Sequence, residues 1–173
     1  GDSQAGGFFP AELKFAGFDA IVIKGKAEIP HYLWVHNGQV ELRAAQHLMR
    51  KTTREVEQRL FDELGDQHIR VLQSGIAGDH LVRYAALINS TNRANGRTGM
   101  GAVMGSKNLK ALVATGTGSI KVADPKRFNE ARESLFERAK RYPYHGDVVR
   151  YGIMENWPNY SVQFGYTKNR TEV

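Results

Sequence analysis

The sequence predicts an α+β fold: a partial domain of mixed sheets with short helices, followed by the beginning of a mostly helical domain. Two observations lead to this prediction. Short apolar, strand-like runs alternate with stretches of helical periodicity in the first part of the chain, and beyond residue 119 only the helical pattern continues. The chain has 173 residues, 41% hydrophobic and 24% charged, which suffices for one packed domain and part of a second.

The chain opens with a glycine-rich turn that leads into a short helix. We expect this helix over residues 10–16, because Pro10 suits a first turn whose N–H groups have no intrahelical partner and Gly17 is placed to end it. The β-branched run in residues 19–24 then predicts a buried strand. The opening contains neither a start methionine nor a signal segment, so we expect the chain to be a piece of a longer polypeptide.

The elements that follow are mostly strands. The best hairpin signal in the chain is Asn37-Gly38, which separates strand-like runs in residues 31–36 and 40–43. A dipeptide of this kind accepts the positive φ angles that a two-residue hairpin turn requires. Further short apolar runs predict strands at residues 69–72, 81–88 and 109–114.

Two amphipathic helices are predicted. In residues 52–64 the apolar positions recur every three or four residues, with Thr53 as the expected N-cap and Gly65 as the expected C-terminal glycine. The second helix begins at Asp124, which is followed by a proline, and continues to about residue 141. Its charged surface is interrupted by a single apolar stripe.

The composition changes to small, flexible residues just before the second helix, which indicates a domain boundary near residues 118–124. We therefore expect residues 1–118 to form the C-terminal part of a first domain. Residues 119–173 would contain a linker and the beginning of a helical domain.

Composition excludes several classes of protein. The chain has no cysteine, so these residues form neither a disulfide framework nor a cysteine-ligated iron–sulfur or zinc site. No apolar run approaches the ~18–20 residues that span a bilayer. The six histidines have no ligand spacing. From these features we expect a cytoplasmic protein without a membrane segment or a histidine-ligated metal.

Residues 92–108 form the most unusual stretch of the chain, with four glycines, two arginines and a lysine between two apolar strands. Glycines let backbone amides approach an anion, guanidinium groups grip phosphate, and a helix beginning near Gly99 would add the positive end of its dipole. Arg93 and Arg97 flank Gly96 and could converge on one dianion. A net charge of +6 also favours anionic partners.

Three other readings of this stretch are weaker. It fails the Walker A pattern, because Ser106 separates Gly105 from Lys107 and Asn108 follows the lysine. It fails the flavin or nicotinamide dinucleotide pattern, because too few residues remain for a full crossover helix. A basic nucleic-acid-binding module is an open alternative, although no aromatic residues are interleaved with the basic ones.

Two long motifs carry a family resemblance. Residues 5–27, AGGFFPAELKFAGFDAIVIKGKA, and residues 93–111, RANGRTGMGAVMGSKNLKA, resemble two signature stretches of the aldehyde ferredoxin oxidoreductases in order and spacing. The resemblance implies the cofactor-binding domain of a tungsten- (or molybdenum-) containing enzyme. In that family two pyranopterins hold the metal, and magnesium bridges their phosphates.

The resemblance also implies site residues. Backbone carbonyls would bind magnesium at Gln4 and Ala94, and backbone amides would contact the cofactor at Gly6 and Gly96. The second motif adds the guanidinium groups of Arg93 and Arg97. The complete set of implied cofactor-binding residues is therefore Gln4, Gly6, Arg93, Ala94, Gly96 and Arg97.

The implied activity is oxidation of an aldehyde to a carboxylic acid, or another reductase activity of the same family. Electrons would pass through a 4Fe-4S cluster to ferredoxin or to an electron-transfer subunit, within a homo- or hetero-oligomer. The cluster ligands and the catalytic residues would lie outside this chain, so we do not expect these residues to be active alone.

Overall fold

The structure is a computed structural model that describes residues 1–90 and 92–151. It divides into two compact units, the first spanning Gly1–Ile120 and the second beginning at Lys121. The first unit is a six-stranded mixed sheet with short helices, and the described part of the second is helical, so the predicted α+β class is confirmed. None of the described helices is both long and apolar enough to cross a membrane.

The elements of the first unit follow one another closely along the chain. They are α1 (Phe9–Phe15), β1 (His31–His36), β2 (Gln39–Ala44), a 3-10 turn (Gln46–Leu48), α2 (Thr53–Leu64), β3 (Arg70–Ser74), α3 (Ile76–Asp79), β4 (Leu87–Asn89), β5 (Arg93–Asn95), α4 (Met100–Ser106) and β6 (Leu109–Thr115). The sheet order is β2-β1-β6-β3-β4-β5. Only the β1–β6 pair is parallel; the other neighbours run antiparallel.

Each face of the sheet has its own apolar core. On one face α2 covers buried residues that include Tyr32, Val71 and Val113. On the other face Phe9 of α1 and Met104 of α4 pack against side chains of β6. The sheet is thus sandwiched between α2 on one side and α1 with α4 on the other.

Local signals decide the ends of the predicted elements. Asn37 and Gly38 have φ angles of 43° and 81°, so the expected hairpin turn is confirmed. The N-cap of α2 is Thr52 and not Thr53, because the Thr52 side chain accepts from the N–H of Glu55 in a capping box. Gly65 ends α2 in the left-handed conformation, as predicted.

Two strand predictions were wrong. Residues 19–24 form no strand in the described structure, and Val22 is 80% exposed while only Ile21 packs against the core. A β-branched run becomes a strand only beside a partner. The predicted strand at 81–88 shortens to Leu87–Asn89. Its first half turns at Leu81, whose φ is 58°, and the Ala85 carbonyl accepts a hydrogen bond from α4.

The second unit contains α5 (Pro125–Lys140) and α6 (His145–Tyr151). Asp124 caps α5, because its carboxylate accepts from the N–H of Arg127. This confirms the predicted start of the second helix. No residue of α5 is buried, and its predicted apolar stripe therefore stands exposed. The role given to residues 119–173 stays a prediction, and residues 152–173 lie outside the described residues.

Candidate functional site

The opening loop meets the second signature motif in space. The opening loop, residues 1–8, lies against the β4–β5 hairpin and the turn that follows it. The Asn95 side-chain amide donates to the carbonyl of Ser3 at 3.2 Å, and the Arg97 N–H donates to the Ser3 hydroxyl at 3.2 Å. The Thr98 hydroxyl donates to the carbonyl of Asp2 at 3.1 Å. These hydrogen bonds join segments more than 90 residues apart in sequence.

A second attachment lies nearer the helix α1. The side-chain amide of Asn89, which is 3% exposed, donates to the carbonyl of Gly6 at 2.8 Å. Asn89 is the last residue of β4 and pairs with Arg93 across the hairpin. Opposite residues of an antiparallel pair share a face of the sheet, so Asn89 and Arg93 lie on the same face.

The structure brings together the residues that the resemblance implies. Gln4 and Gly6 lie on the attached loop, Arg93 and Ala94 lie on β5, and Gly96 and Arg97 lie in the next turn; all six are exposed. β5 is an edge strand, and an edge strand leaves one row of backbone N–H and C=O groups without a sheet partner. Backbone donors and acceptors without a sheet partner therefore occur on the same edge strand as the exposed Arg93. Their role in binding a cofactor stays a prediction.

An open cavity of about 310 Å³ lies between the loop and the hairpin. It is lined by Gly7, Phe8, Ser90, Asn92 and Arg93. Among the residues that the structure describes, neither Arg93 nor Arg97 has an ion-pair partner. Arg97 is not part of this lining, and the expected convergence of the two arginines on one dianion stays a prediction.

The glycines of the second motif fall into two groups. Gly99, Gly101 and Gly105 pack α4 against backbone: an ideal Cβ on them would lie 1.9 Å from the Arg83 oxygen, 2.5 Å from the Ala86 oxygen and 2.0 Å from the Gly78 oxygen, respectively. Any side chain there would collide with main-chain atoms, so these three glycines serve helix packing.

Gly6 and Gly96 differ from the packing glycines. An ideal Cβ on either would meet no atom within 4 Å, and neither has a φ angle in the left-handed region. Neither the fold nor the backbone conformation of the described chain therefore requires glycine there. Both residues are exposed, and a glycine allows another molecule to approach the backbone closely.

The expected helix near Gly99 is confirmed as α4, whereas its expected use as an anion site is not supported. The N–H of Gly101 donates to the carbonyl of Ala85 at 2.8 Å, so this N–H group is already used within the fold. Gly99 itself is buried. The exposed arginines of the motif lie in residues 93–97, ahead of the helix, and their use in binding an anion stays a prediction.

Sequence reasoning missed the polar side chains that hold the loop. Asn89 and Asn95 attach it to the hairpin, and Ser3 receives two of the hydrogen bonds. The available signal was a buried polar residue at the end of an apolar strand, in the run LINS at residues 87–90. Among the described residues no group of three or more histidines, cysteines or acidic side chains forms a metal-binding cluster.

Comparison with known proteins agrees with this geometry. The sequence model of the N-terminal domain of aldehyde ferredoxin oxidoreductase matches residues 1–116. The tungsten-containing aldehyde ferredoxin oxidoreductase of Pyrococcus abyssi is 46% identical over 151 residues, which are 87% of this chain and 25% of that protein. The WOR-like subunit of an aliphatic sulfonate oxidoreductase from Pyrococcus furiosus is 38% identical over 121 residues, which are 63% of this chain and 19% of that subunit.

A solved structure has the same fold. The BamBC active-site complex of benzoyl-coenzyme A reductase, in complex with 1,5-dienoyl-CoA, superposes with a TM-score of 0.77 at 37% identity, over 80% of this chain and 21% of that chain. The fold and the paired loops define a domain of the type found in these tungsten-containing oxidoreductases. The chain belongs to the aldehyde ferredoxin oxidoreductase family. It spans about a quarter of the length of the curated relatives that it matches.

Proposed function

We propose that this chain is the cofactor-binding portion of a tungsten- (or molybdenum-) bis-pyranopterin oxidoreductase. The observation that carries the proposal is the pair Gly6 and Gly96, which face open space and are not needed as glycine by the fold. They stand beside the exposed Arg93 and Arg97. Two backbone positions open to close approach, next to two guanidinium groups, fit a bulky, phosphate-bearing cofactor.

Each residue of the site has a proposed role. The backbone carbonyls of Gln4 and Ala94 would hold a magnesium ion, and the amides of Gly6 and Gly96 would contact the cofactor. Arg93 and Arg97 neutralise phosphate or pterin oxygens through charge-assisted hydrogen bonds. The hydrogen bonds of Asn95 to Ser3 and of Asn89 to Gly6 support this arrangement, because they hold the carbonyl-bearing loop beside the arginine-bearing strand.

The bound cofactor supplies the two-electron redox chemistry, by which an aldehyde becomes a carboxylic acid. The described residues bind the cofactor and fix its orientation. A 4Fe-4S cluster bound by cysteines outside this chain would supply the electron path to ferredoxin or to an electron-transfer subunit. In this proposal residues 1–118 are part of the cofactor-binding domain, and residues 119–173 begin the helical domain that binds the cluster in a cytoplasmic oligomer.

A second candidate is another reaction of the same family. Two observations favour it: the identity with a subunit of an aliphatic sulfonate oxidoreductase, and the structural match to a benzoyl-coenzyme A reductase complex. The same cofactor-binding fold occurs in proteins whose names describe different substrates. The candidate therefore changes the substrate and the electron acceptor and leaves the roles of Gln4, Gly6, Arg93, Ala94, Gly96 and Arg97 as proposed.

The test is elemental and pterin analysis of the purified full-length protein. We expect tungsten or molybdenum, two pterins and magnesium for each protomer. A folded, active protein without tungsten, molybdenum or pterin would overturn the proposal. Binding of a random oligonucleotide with a steep salt dependence would instead favour the nucleic-acid alternative.

A further inference from the structure

The opening loop is fastened at two carbonyl groups by two asparagine side chains. Asn95 donates to the carbonyl of Ser3 at 3.2 Å, and Asn89 donates to the carbonyl of Gly6 at 2.8 Å. Only Gln4 and Ala5 lie between these two attached residues. Gln4 and Gly6 are exposed, whereas Ser3 and Ala5 are half-buried.

The contact at Asn89 is close and specific in orientation. Its side-chain oxygen accepts from the Ser90 hydroxyl at 2.8 Å, which directs the amide nitrogen toward Gly6. Gly7 lies directly over this amide: an ideal Cβ on Gly7 would be 2.6 Å from the Asn89 nitrogen, and the φ angle of Gly7 is +115°. The loop therefore passes over Asn89 at a distance that only glycine permits.

We infer that Asn89 and Asn95 are positioning residues for the cofactor site, acting through the backbone of residues 3–6. This inference rests on the proposed function. Their side-chain amides donate to the carbonyls of Ser3 and Gly6 and so fix the path of the backbone that carries the Gln4 carbonyl and the Gly6 amide. Mutation of a side chain that orients a ligand-binding atom without contacting the ligand commonly lowers ligand affinity by ~10–100-fold.

The test uses the full-length protein with its cofactor. Asn89→Ala removes the donor to Gly6, and we expect it to lose tungsten or molybdenum and pterin about tenfold faster than wild type from the folded protomer. The matched control is Val71→Ala, which creates a cavity in the core between the sheet and α2, on the opposite face of the sheet. It should lower the thermal midpoint and leave cofactor loss from the folded protein unchanged.

A second readout does not depend on the cofactor. In protein prepared without metal and pterin, protease cleavage within residues 1–8 should become faster in Asn89→Ala and remain at the wild-type rate in Val71→Ala. If Asn89→Ala fails to fold, Asn95→Ala serves instead, because Asn95 is only half-buried and releases the Ser3 carbonyl.

The outcomes separate the two claims. Wild-type protein without any metal or pterin would contradict the proposed function, whereas the cleavage assay would still test how the loop is held. A metal-loaded wild type together with an asparagine variant that loses cofactor no faster than Val71→Ala would overturn the positioning role alone.

Discussion

The ammonium group of Lys110 lies 2.8 Å from both carboxylate oxygens of Asp79, and both side chains are closed to solvent. Lys110 is the second residue of β6, and Asp79 is the last residue of α3. Asp79 also accepts the backbone N–H of Arg50 at 2.9 Å. The pair therefore connects three separate parts of the first unit.

Removing one partner of this pair should be costly. Lys110→Met leaves the Asp79 carboxylate buried without its cation, and we expect a loss of about 3–5 kcal/mol in the free energy of unfolding. Urea denaturation of the 173-residue chain measures it. The double variant Lys110→Met with Asp79→Leu should be less destabilised than the single one. A single variant as stable as wild type would show that the pair contributes little.

The two groups of glycines should respond oppositely to alanine. Gly105→Ala forces a Cβ to within 2.0 Å of the Gly78 oxygen, so we expect it to destabilise the fold by about 1–3 kcal/mol or more. Gly96→Ala meets no atom within 4 Å and should leave the thermal midpoint unchanged. In the full-length protein Gly96→Ala should nevertheless reduce cofactor content. A destabilised Gly96→Ala together with a Gly105→Ala as stable as wild type would contradict this division of the glycines.

Arginine geometry should matter at position 97. Arg97→Lys keeps the charge and loses the planar fork, so metal and pterin content for each folded protomer should fall. Arg54→Lys is the matched control, because Arg54 is exposed on α2, which covers the opposite face of the sheet. Full and equal occupancy in both variants would show that the turn is structural.

Stability at high pH should depend on Tyr32. Burial, and a 2.6 Å hydrogen bond to Glu63, raise the pKa of Tyr32 from 10.0 to about 12. As pH rises, the unfolded chain loses this proton first. The contribution of the neutral phenol is therefore complete below pH 10.0 and disappears as pH rises through about 12.

Thermal midpoints measured between pH 9 and pH 12 check this. Tyr32→Phe should be less stable than wild type near neutral pH, because Glu63 loses its donor, and its midpoint should fall less steeply above pH 10.0. If the thermal midpoints of wild type and Tyr32→Phe fell equally steeply above pH 10.0, the raised pKa of Tyr32 would be contradicted.

The sequence was most informative where the determining interaction is local. The Asn37-Gly38 turn, the glycine that ends α2 and the Asp124 cap all depend on residues within a few positions, and all three were predicted. Residues 19–24 were predicted wrongly, because whether a β-branched run forms a strand depends on a distant partner. The family motifs predict the site residues, whose role stays a prediction, and the structure shows that the two segments that carry them are hydrogen-bonded to each other.

The other features of the site could not be predicted from the sequence, because they depend on contacts between residues some 80 to 90 positions apart. Nothing local distinguishes Gly96, which faces open space, from Gly105, whose Cβ would strike backbone. The attachment of Gly6 by Asn89 is likewise a tertiary contact, 83 residues apart in sequence. The buried pair of Lys110 and Asp79 was also invisible, because a lysine in an apolar run gives no sign of its partner.

The central claim is that the opening loop and residues 93–97 together hold a phosphate-bearing metal cofactor. A crystal structure of the full-length protein with its cofactor tests it most directly, through the distances from the backbone of Gly6 and Gly96 to the bound group. The account predicts pterin or phosphate atoms within hydrogen-bond distance of these residues and of the Arg93 guanidinium. A cofactor seated elsewhere, with the loop and the hairpin facing only solvent, would contradict it.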